Sequence, residues 1–384
     1  MNHKAESSDP WGALAGVKVL DLSRLLPGPF CSMILADHGA EVIAIEDGTK
    51  KTGEIFFDGV NRNKRHMSLN LKTEKGKEIF FKLLKDADVV LEGFRPGVVN
   101  RLGVDYESVK AVNPGIVYCS ITGFGQTGPL KDRVGHDVNY ISEAGILDLM
   151  GSTDQPPAIP GVQIADIAGG AMNAAIGILL ALISRNATGK GQYIDISMTD
   201  GVAGFLILPR FFSQLFGMAQ QRGRTMLSHR YACYNTYETS DGKYLSLGAV
   251  EAVFWKRLCT LLGAKEYIPL QMDEGRKKEI VAWFRDKFAS RPASYWKELL
   301  EEADVCFSIV KTMDEAVKGD LYREREMVVD LAGSPTIGVP VKLSRTPGQV
   351  RTPPESFGQS TEEILAGLGY TREDINKFQQ DKII

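Results

Sequence analysis

The sequence predicts an α/β protein with two domains, and three observations carry that prediction. Short apolar runs of strand length, at 17–22, 41–45, 88–91, 115–121 and 193–198, alternate with helix-like stretches through the first 200 residues. That alternation is the pattern of a parallel sheet with crossover helices. After a polar break at Gln220-Gln221-Arg222-Gly223-Arg224 the pattern changes to a hairpin followed by amphipathic helices. The length, 384 residues, suits two cores. The expected division is a Rossmann-like large domain over residues 1–200, completed by 335–384, a linking helical region at 201–225, and a smaller α+β domain at 226–334.

In order, Val17 to Leu22 reads as the first buried strand, broken by Pro27-Gly28-Pro29. A helix follows from Phe30 to Asp37 and stops near Gly39, and Glu41 to Ile45 is the second strand. A strand, a helix and a strand in this order form a parallel βαβ unit. The turn lacks GxGxxG, so it is not the standard dinucleotide fingerprint. The Pro-Gly-Pro segment is either a simple turn or a ligand contact. Asn61-Arg62-Asn63-Lys64-Arg65 is a basic loop, solvated or anion-binding, before a strand at Met67-Ser68-Leu69. After a helix from Glu74 to Ala87 and a strand at 88–91, Glu92-Gly93-Phe94-Arg95-Pro96-Gly97-Val98 and Arg101 lie just past a strand's C-terminal end. Open α/β sheets bind ligands at such ends, and arginines there suit phosphates. The strand at 115–121 ends in a turn containing Gly123, Gly125 and Gly128, where a backbone can be approached closely. Gly135-His136-Asp137-Val138-Asn139-Tyr140 follows, and His136 is one of five histidines in the chain. Its imidazole is either a structural hydrogen-bonding group or an acid/base.

The run from Ile164 to Ile183 is almost wholly Ala, Ile, Leu and Gly, which predicts a helix buried on all sides. It is long enough to span a membrane, but Asp166, Asn173 and several glycines favour a core helix. Asp166 in the first turn is either a helix-start acid or a reactive carboxylate. Gly169 and Gly170 cost helix stability, so something is expected to approach the backbone there. A strand at 193–198 and a helical stretch at 201–216 lead to the break at 220–224. The hairpin pairs 234–239 with 243–248 around Ser240-Asp241-Gly242. Glu251 comes next, before a helix carrying Trp255, Leu258 and Leu261, and is a helix-start acid or a site residue. Trp283, Phe284, Trp296 and Leu299 mark core faces of amphipathic helices at 276–303. Ile309 to Ala316 suggests a strand and a short helix, and Met327 to Val341 suggests strands around Gly333-Ser334-Pro335. A Pro/Arg-rich segment at 345–354 is expected to return over the first domain, and helices at 361–368 and 371–378 close the chain.

Composition limits the function. A formal net charge of -3 argues against a general nucleic-acid binder. The five cysteines are scattered without CxxC spacing, as expected of reduced thiols in the cytoplasm and not of a zinc site. Residues 1–16 lack a signal peptide's apolar core. No metal-ligand spacing is visible, so no metal site is expected.

Several segments together carry a resemblance. They are Leu26-Pro27-Gly28-Pro29, Ala36-Asp37-His38-Gly39-Ala40-Glu41-Val42, Asn61 to Arg65, Phe94 to Val98, Gly123 to Pro129, and Thr188-Gly189-Lys190-Gly191-Gln192. With these the chain resembles the family III coenzyme A transferases over nearly its whole length. The Gly135 to Tyr140 motif and Glu251 after the hairpin make it most similar to the α-methylacyl-CoA racemase branch. Two departures stand out. Glu46-Asp47-Gly48, with Lys50 and Lys51 later, occupies the edge where racemases usually carry a basic residue near the CoA nucleotide. Phe357 to Thr361 replaces a common His-Thr pair.

The resemblance implies an acyl-CoA substrate, with CoA as part of that substrate and no separate cofactor, and a role in lipid metabolism. It implies an interlocked homodimer with no nucleic-acid or membrane partner. His136 and Asp166 would be acid/base groups on opposite faces of the α-carbon, and Glu251 would orient His136 or share its proton, a role also open to Asp137. Asn139, Tyr140, Gly169 and Gly170 would support them, and backbone N–H groups at the Asp166 helix start would hold an enolate oxygen. Lys64, Arg65, Arg95, Arg101, Gly123 and Gly125 would contact CoA. The implied reaction is racemisation of 2-methyl-branched acyl-CoA thioesters. The alternative is CoA transfer between carboxylic acids with Asp166 as nucleophile. An apolar acyl pocket is expected near Met150, Phe211, Phe212, Leu215 and Met218.

Overall fold

The computed structural model describes residues 11–47, 59–217 and 219–384. Gly48, Lys50, Lys51, Met218 and the first ten residues lie outside the described residues. The chain forms two compact units, one of residues 1–144, 161–204 and 320–384, the other of 145–160 and 205–319.

The first unit opens with β1 (Lys18–Asp21), α1 (Pro27–Asp37) and β2 (Glu41–Glu46), then β3 (Arg65–Ser68), α2 (Glu74–Leu84) and β4 (Val89–Glu92). Two short helices, α3 (Val98–Leu102) and α4 (Tyr106–Val112), precede β5 (Val117–Thr122) and α5 (Asp137–Glu143). A π-helix at Ala165–Met172 runs into α6 (Asn173–Thr188), followed by β6 (Tyr193–Ser197) and α7 (Met198–Ala203). The six strands form one parallel sheet in the order β3-β2-β1-β4-β5-β6. Most strand residues are buried, which explains the continuous apolar runs. Leu20, Ile43, Met67, Val90 and Tyr118 pack with Ile79, Phe80 and Leu84 of α2. Strand order reverses between β1 and β4, and ligands bind in the crevice at such a switch point.

The helix expected from Phe30 begins at Pro27 instead. Proline suits the first helical turn, where its missing N–H needs no partner. Gly28 is required there, because a Cβ would stand 2.0 Å from Ser23 Oγ. The apolar helix is not buried on all sides: Met172, Ile176, Leu180 and Ile183 are exposed along one face, Ile183 by 68%. Its first two turns are π-helical. What approaches Gly169 and Gly170 is α7. A Cβ on Gly169 would lie 2.5 Å from the Met198 carbonyl oxygen, and one on Gly170 would lie 2.9 Å from Met198 Cγ.

The second unit holds α8 (Ile207–Phe216), the strands β7 (Tyr234–Glu238) and β8 (Tyr244–Gly248), and the helices α9 (Ala252–Leu262), α10 (Lys277–Ala289) and α11 (Ala293–Glu301). β9 (Phe307–Ile309) and α12 (Met313–Val317) end it, with the strand just ahead of its expected place. β7-β8-β9 form an antiparallel sheet. Tyr237, Leu245 and Leu247 pack with Trp255, Phe284, Phe288 and Trp296. On α8, Ile207, Phe211 and Leu215 are exposed, so the expected acyl pocket is not enclosed at these positions. The break at 220–224 lies inside this unit and is no boundary. Arg222 pairs with Asp148 at 3.6 Å and its carbonyl accepts the Thr153 hydroxyl at 3.1 Å, which binds 145–160 to this unit.

The chain rejoins the first unit at residue 320, ahead of the expected 335. α13 (Asp320–Glu324) leads to the hairpin β10 (Val328–Leu331) and β11 (Ser334–Ile337), whose Ile337 carbonyl accepts from the Arg62 guanidinium. Asn63 then grips the Pro/Arg-rich segment, accepting the Arg351 and Thr352 N–H groups at 2.9 Å each. α14 (Thr361–Gly367) and α15 (Arg372–Gln380) complete the chain.

Candidate active site

Asp166 stands in the first turn of the π-helix, half-buried. Its N–H donates to Asp137 Oδ1 at 2.9 Å, which ties the π-helix to α5. His136 occupies the N-cap position of α5 in extended backbone, exposed, and Asn139 Oδ1 accepts its N–H at 3.0 Å. The Tyr140 hydroxyl donates to the Gly135 carbonyl, and its ring stacks edge-on against Phe124 at 5.2 Å. Gly123 makes room for that ring, since a Cβ would stand 2.2 Å from Tyr140 Cε1. Gly125 has φ +81°, and the turn is closed by the Gln126 N–H on the Asp195 carboxylate. The structure thus brings His136, Asp137, Asn139, Tyr140 and Asp166 together in one unit.

Electrostatics confirm the grouping. Burial, then the Asp137 charge, pushes the Asp166 carboxyl from 3.8 up to about 6, and His136 opposes the rise. Such a group gives and takes a proton near neutral pH. The Tyr140 hydroxyl is pushed up to about 12 by burial and then by Asp166, with Arg95 pulling it back. Arg95 therefore belongs to the field of this cluster. The donors expected for an enolate oxygen are already engaged: the Asp166 N–H with Asp137, and the Ile167 N–H with the Gln163 carbonyl at 3.1 Å. Glu251 belongs to the second unit. It holds the N-cap position of α9 yet makes no side-chain capping bond, so the helix-start role is not what occupies its exposed carboxylate. The Cys306 thiol is pushed up by burial and then by the Glu251 charge.

At the switch point a cleft of 650 Å³ opens outside the ends of β1, β2 and β4. Asp21 to Leu25, Ala44 to Asp47 and Gly93 to Arg95 line it. The Glu92 carboxylate accepts the Phe94 N–H at 2.7 Å and shapes the turn that carries Arg95. Arg24 lies over the Phe94 ring at 5.7 Å and pairs with Asp47 at 3.6 Å, and Lys72 reaches the same carboxylate at 3.5 Å. Two cations held by one acid suit a phosphate-bearing ligand. Sequence reasoning missed both. The signal for Arg24 was its place directly after β1.

Two residues expected at the phosphates, Lys64 and Arg65, do not line this cleft. Lys64 is 2% exposed. Its Nζ donates to the Pro29 carbonyl at 2.7 Å and to Asn61 Oδ1 at 3.1 Å, and it pairs with Asp21 at 3.9 Å. Burial pulls its ammonium down to about 8. Lys64 therefore joins β1, α1 and the basic loop, and builds the cleft from behind. Arg65 opens β3, and its guanidinium pairs with Glu363 at 3.1 Å and Glu41 at 3.7 Å. Arg95 and Arg101 are exposed and have no ion-pair partner among the described residues. Among the described residues no group of three or more His, Cys, Asp or Glu side chains is placed to hold a metal.

A sequence model of CoA-transferase family III matches residues 14–361. The chain is similar to an alpha-methylacyl-CoA racemase of Homo sapiens, 36% identical over 97% of both chains. It is similar to a succinyl-CoA–D-citramalate CoA-transferase of Chloroflexus aurantiacus, 31% identical over 98% of this chain and 100% of that one. Among solved structures it is similar to a CAIB/BAIF family protein from Brucella suis, with a TM-score of 0.82 and 30% identity over 93% of this chain and 100% of that one.

Proposed function

The chain belongs to CoA-transferase family III, and from that premise we propose that it racemises 2-methyl-branched acyl-CoA thioesters by 1,1-proton transfer. The observation that carries this reading is the Asp166 carboxyl raised to about 6 beside His136. One group removes the α-proton, and the C–H electron pair moves into the thioester carbonyl to give an enolate. The other group returns a proton to the opposite face. Removal and return demand two acid/base groups that titrate near the working pH. Glu251 of a second copy, free of a capping role, would orient His136 or relay its proton across the subunit boundary. The cleft past β1 and β4 would take the CoA moiety, with Arg24, Lys72 and Arg95 at its phosphates.

A homodimer is part of the proposal. The exposed apolar face of α6 in one unit and that of α8 in the other each need a cover. A second copy supplies that cover in the cytoplasm, where the five free thiols stay reduced. The helix over Ala165–Thr188 is long and apolar enough to cross a membrane, but its first turn carries the Asp166 site.

Proton exchange tests the reading. A 2-methylacyl-CoA incubated alone in deuterated buffer should take up one deuterium at the α-carbon. His136→Ala and Asp166→Asn should each abolish racemisation, while each keeps exchange of the one enantiomer served by the remaining group. CoA transfer with Asp166 as nucleophile is the competing outcome, supported by the 31% identical transferase. A hydroxamate formed at Asp166 on trapping with hydroxylamine, without α-exchange, would establish it instead.

A further inference from the structure

The cleft past β1 and β4 is lined by a histidine with no role in that scheme. His66 lies on β3 and is 3% exposed, and both it and Glu46 at the end of β2 line the cleft. Its Nδ1 is 2.7 Å from Glu46 Oε1. The other Glu46 oxygen accepts the Gly358 N–H at 3.0 Å, so the carboxylate is fixed at both ends. The histidine backbone is fixed as well: its N–H donates to Glu355 at 2.8 Å, and its carbonyl accepts the Ser360 N–H at 2.9 Å. Yet Nε2 is buried and has no hydrogen-bond partner among the described residues. A buried ring nitrogen left unpaired costs about 1–3 kcal/mol, and native proteins seldom retain that cost without a ligand or water to meet it.

The dyad defines what the missing partner must be. An ionised carboxylate only accepts, so the single hydrogen of a neutral imidazole stands on Nδ1 and leaves Nε2 as the acceptor. An acceptor there repels a phosphate oxygen and attracts an N–H or O–H donor. The neighbouring cations Arg24 and Lys72, both on Asp47, offer phosphates a separate place. We propose that His66 Nε2 reads the nucleoside of the bound thioester by accepting a hydrogen bond from the adenine amino group or a ribose hydroxyl. This rests on the acyl-CoA reading. It gives the acidic end of β2 a function in recognition: Glu46 sets the tautomer that makes His66 an acceptor.

Calorimetric binding of free CoA tests this without catalysis. His66→Phe should weaken CoA about 5–20-fold, the effect of one lost buried hydrogen bond. It should leave 4′-phosphopantetheine, which lacks the nucleoside, unchanged. His66→Gln, whose amide oxygen can replace Nε2, should restore most of the affinity. With wild-type protein, the inosine analogue of CoA and 2′-deoxy-CoA identify the donor: the analogue lacking it binds as weakly as CoA binds His66→Phe. The proposal is overturned if His66→Phe binds CoA like wild type, if it loses 4′-phosphopantetheine in the same proportion, or if neither analogue is weakened. A wild-type protein that binds no CoA would refute the acyl-CoA reading along with this one. The other three results refute this inference alone.

Discussion

Asp166→Asn should make the protein more stable and less active, with a pH dependence that can be worked out in advance. The carboxyl ionises near 3.8 in an unfolded chain and near 6 in the folded one. Between those values the folded state holds a proton that the unfolded state has lost, so stability falls as pH rises through that window. Above it the cost is constant. A rise from 3.8 to about 6 corresponds to at most about 3 kcal/mol. The group is only half-buried and solvent screens it, so about 1–2 kcal/mol is expected. Asparagine has the same shape and no charge, so the variant should gain that amount at pH 7.5 and nothing near pH 3.5. Urea unfolding at the two pH values measures both. The same variant should lose racemisation by about 10²–10⁴-fold, the usual contribution of a positioned acid/base group. Equal gains at both pH values would mean that the stabilisation has nothing to do with desolvated charge. A loss of stability at pH 7.5 would mean that the carboxylate is held by favourable contacts, and the argument for a proton-ready Asp166 would fail.

Lys64→Met should cost about 3–5 kcal/mol, because it leaves Asp21 buried without its cation; Arg65→Ala should cost less than about 1 kcal/mol and leave CoA affinity unchanged, since its pairs are partly exposed. Thermal melts and CoA titration separate the two. Gly123→Ala should abolish activity and destabilise the protein, because its methyl group falls on the Tyr140 ring; circular dichroism with an exchange assay checks both. Leu180→Glu with Ile183→Glu should shift the protein to monomer in sedimentation velocity, as charge on that exposed apolar face prevents its cover by a second copy.

Much of this molecule is legible in its sequence, for reasons that differ by element. The strands of the parallel sheet could be read because both faces are buried, so Val89 to Leu91 and Val117 to Ile121 are apolar almost without interruption. The Asp166 cluster could be read because Gly135 to Tyr140 packs four of its five members, His136, Asp137, Asn139 and Tyr140, into one short segment. Contacts distant in sequence stayed hidden. Arg222 holds Asp148, so a polar stretch that looked like a linker is a clasp. The apolar run at 164–183 looked buried all round, because an apolar sequence does not tell a helix covered on every side from one with an exposed face.

The basic loop shows why residue type alone misleads. In Arg62-Asn63-Lys64-Arg65 the alternate residues Arg62 and Lys64 turn inward, one to Asp37 and the other to Pro29 and Asp21. Arg65 turns toward Glu363. Three cations that read as an anion site are thus held by protein groups. The reverse holds at the end of β2, where two acids, Glu46 and Asp47, line the cleft. Glu46 is engaged by His66 and Gly358, while Asp47 holds Arg24 and Lys72 at the cleft. An acid that already holds two cations does not drive off a phosphate; it sets where those cations stand. The charge a ligand meets in this cleft is therefore decided by which side chains are already paired. That pairing depends on strand register, which places His66 opposite Ala44, and on a loop returning from residue 358.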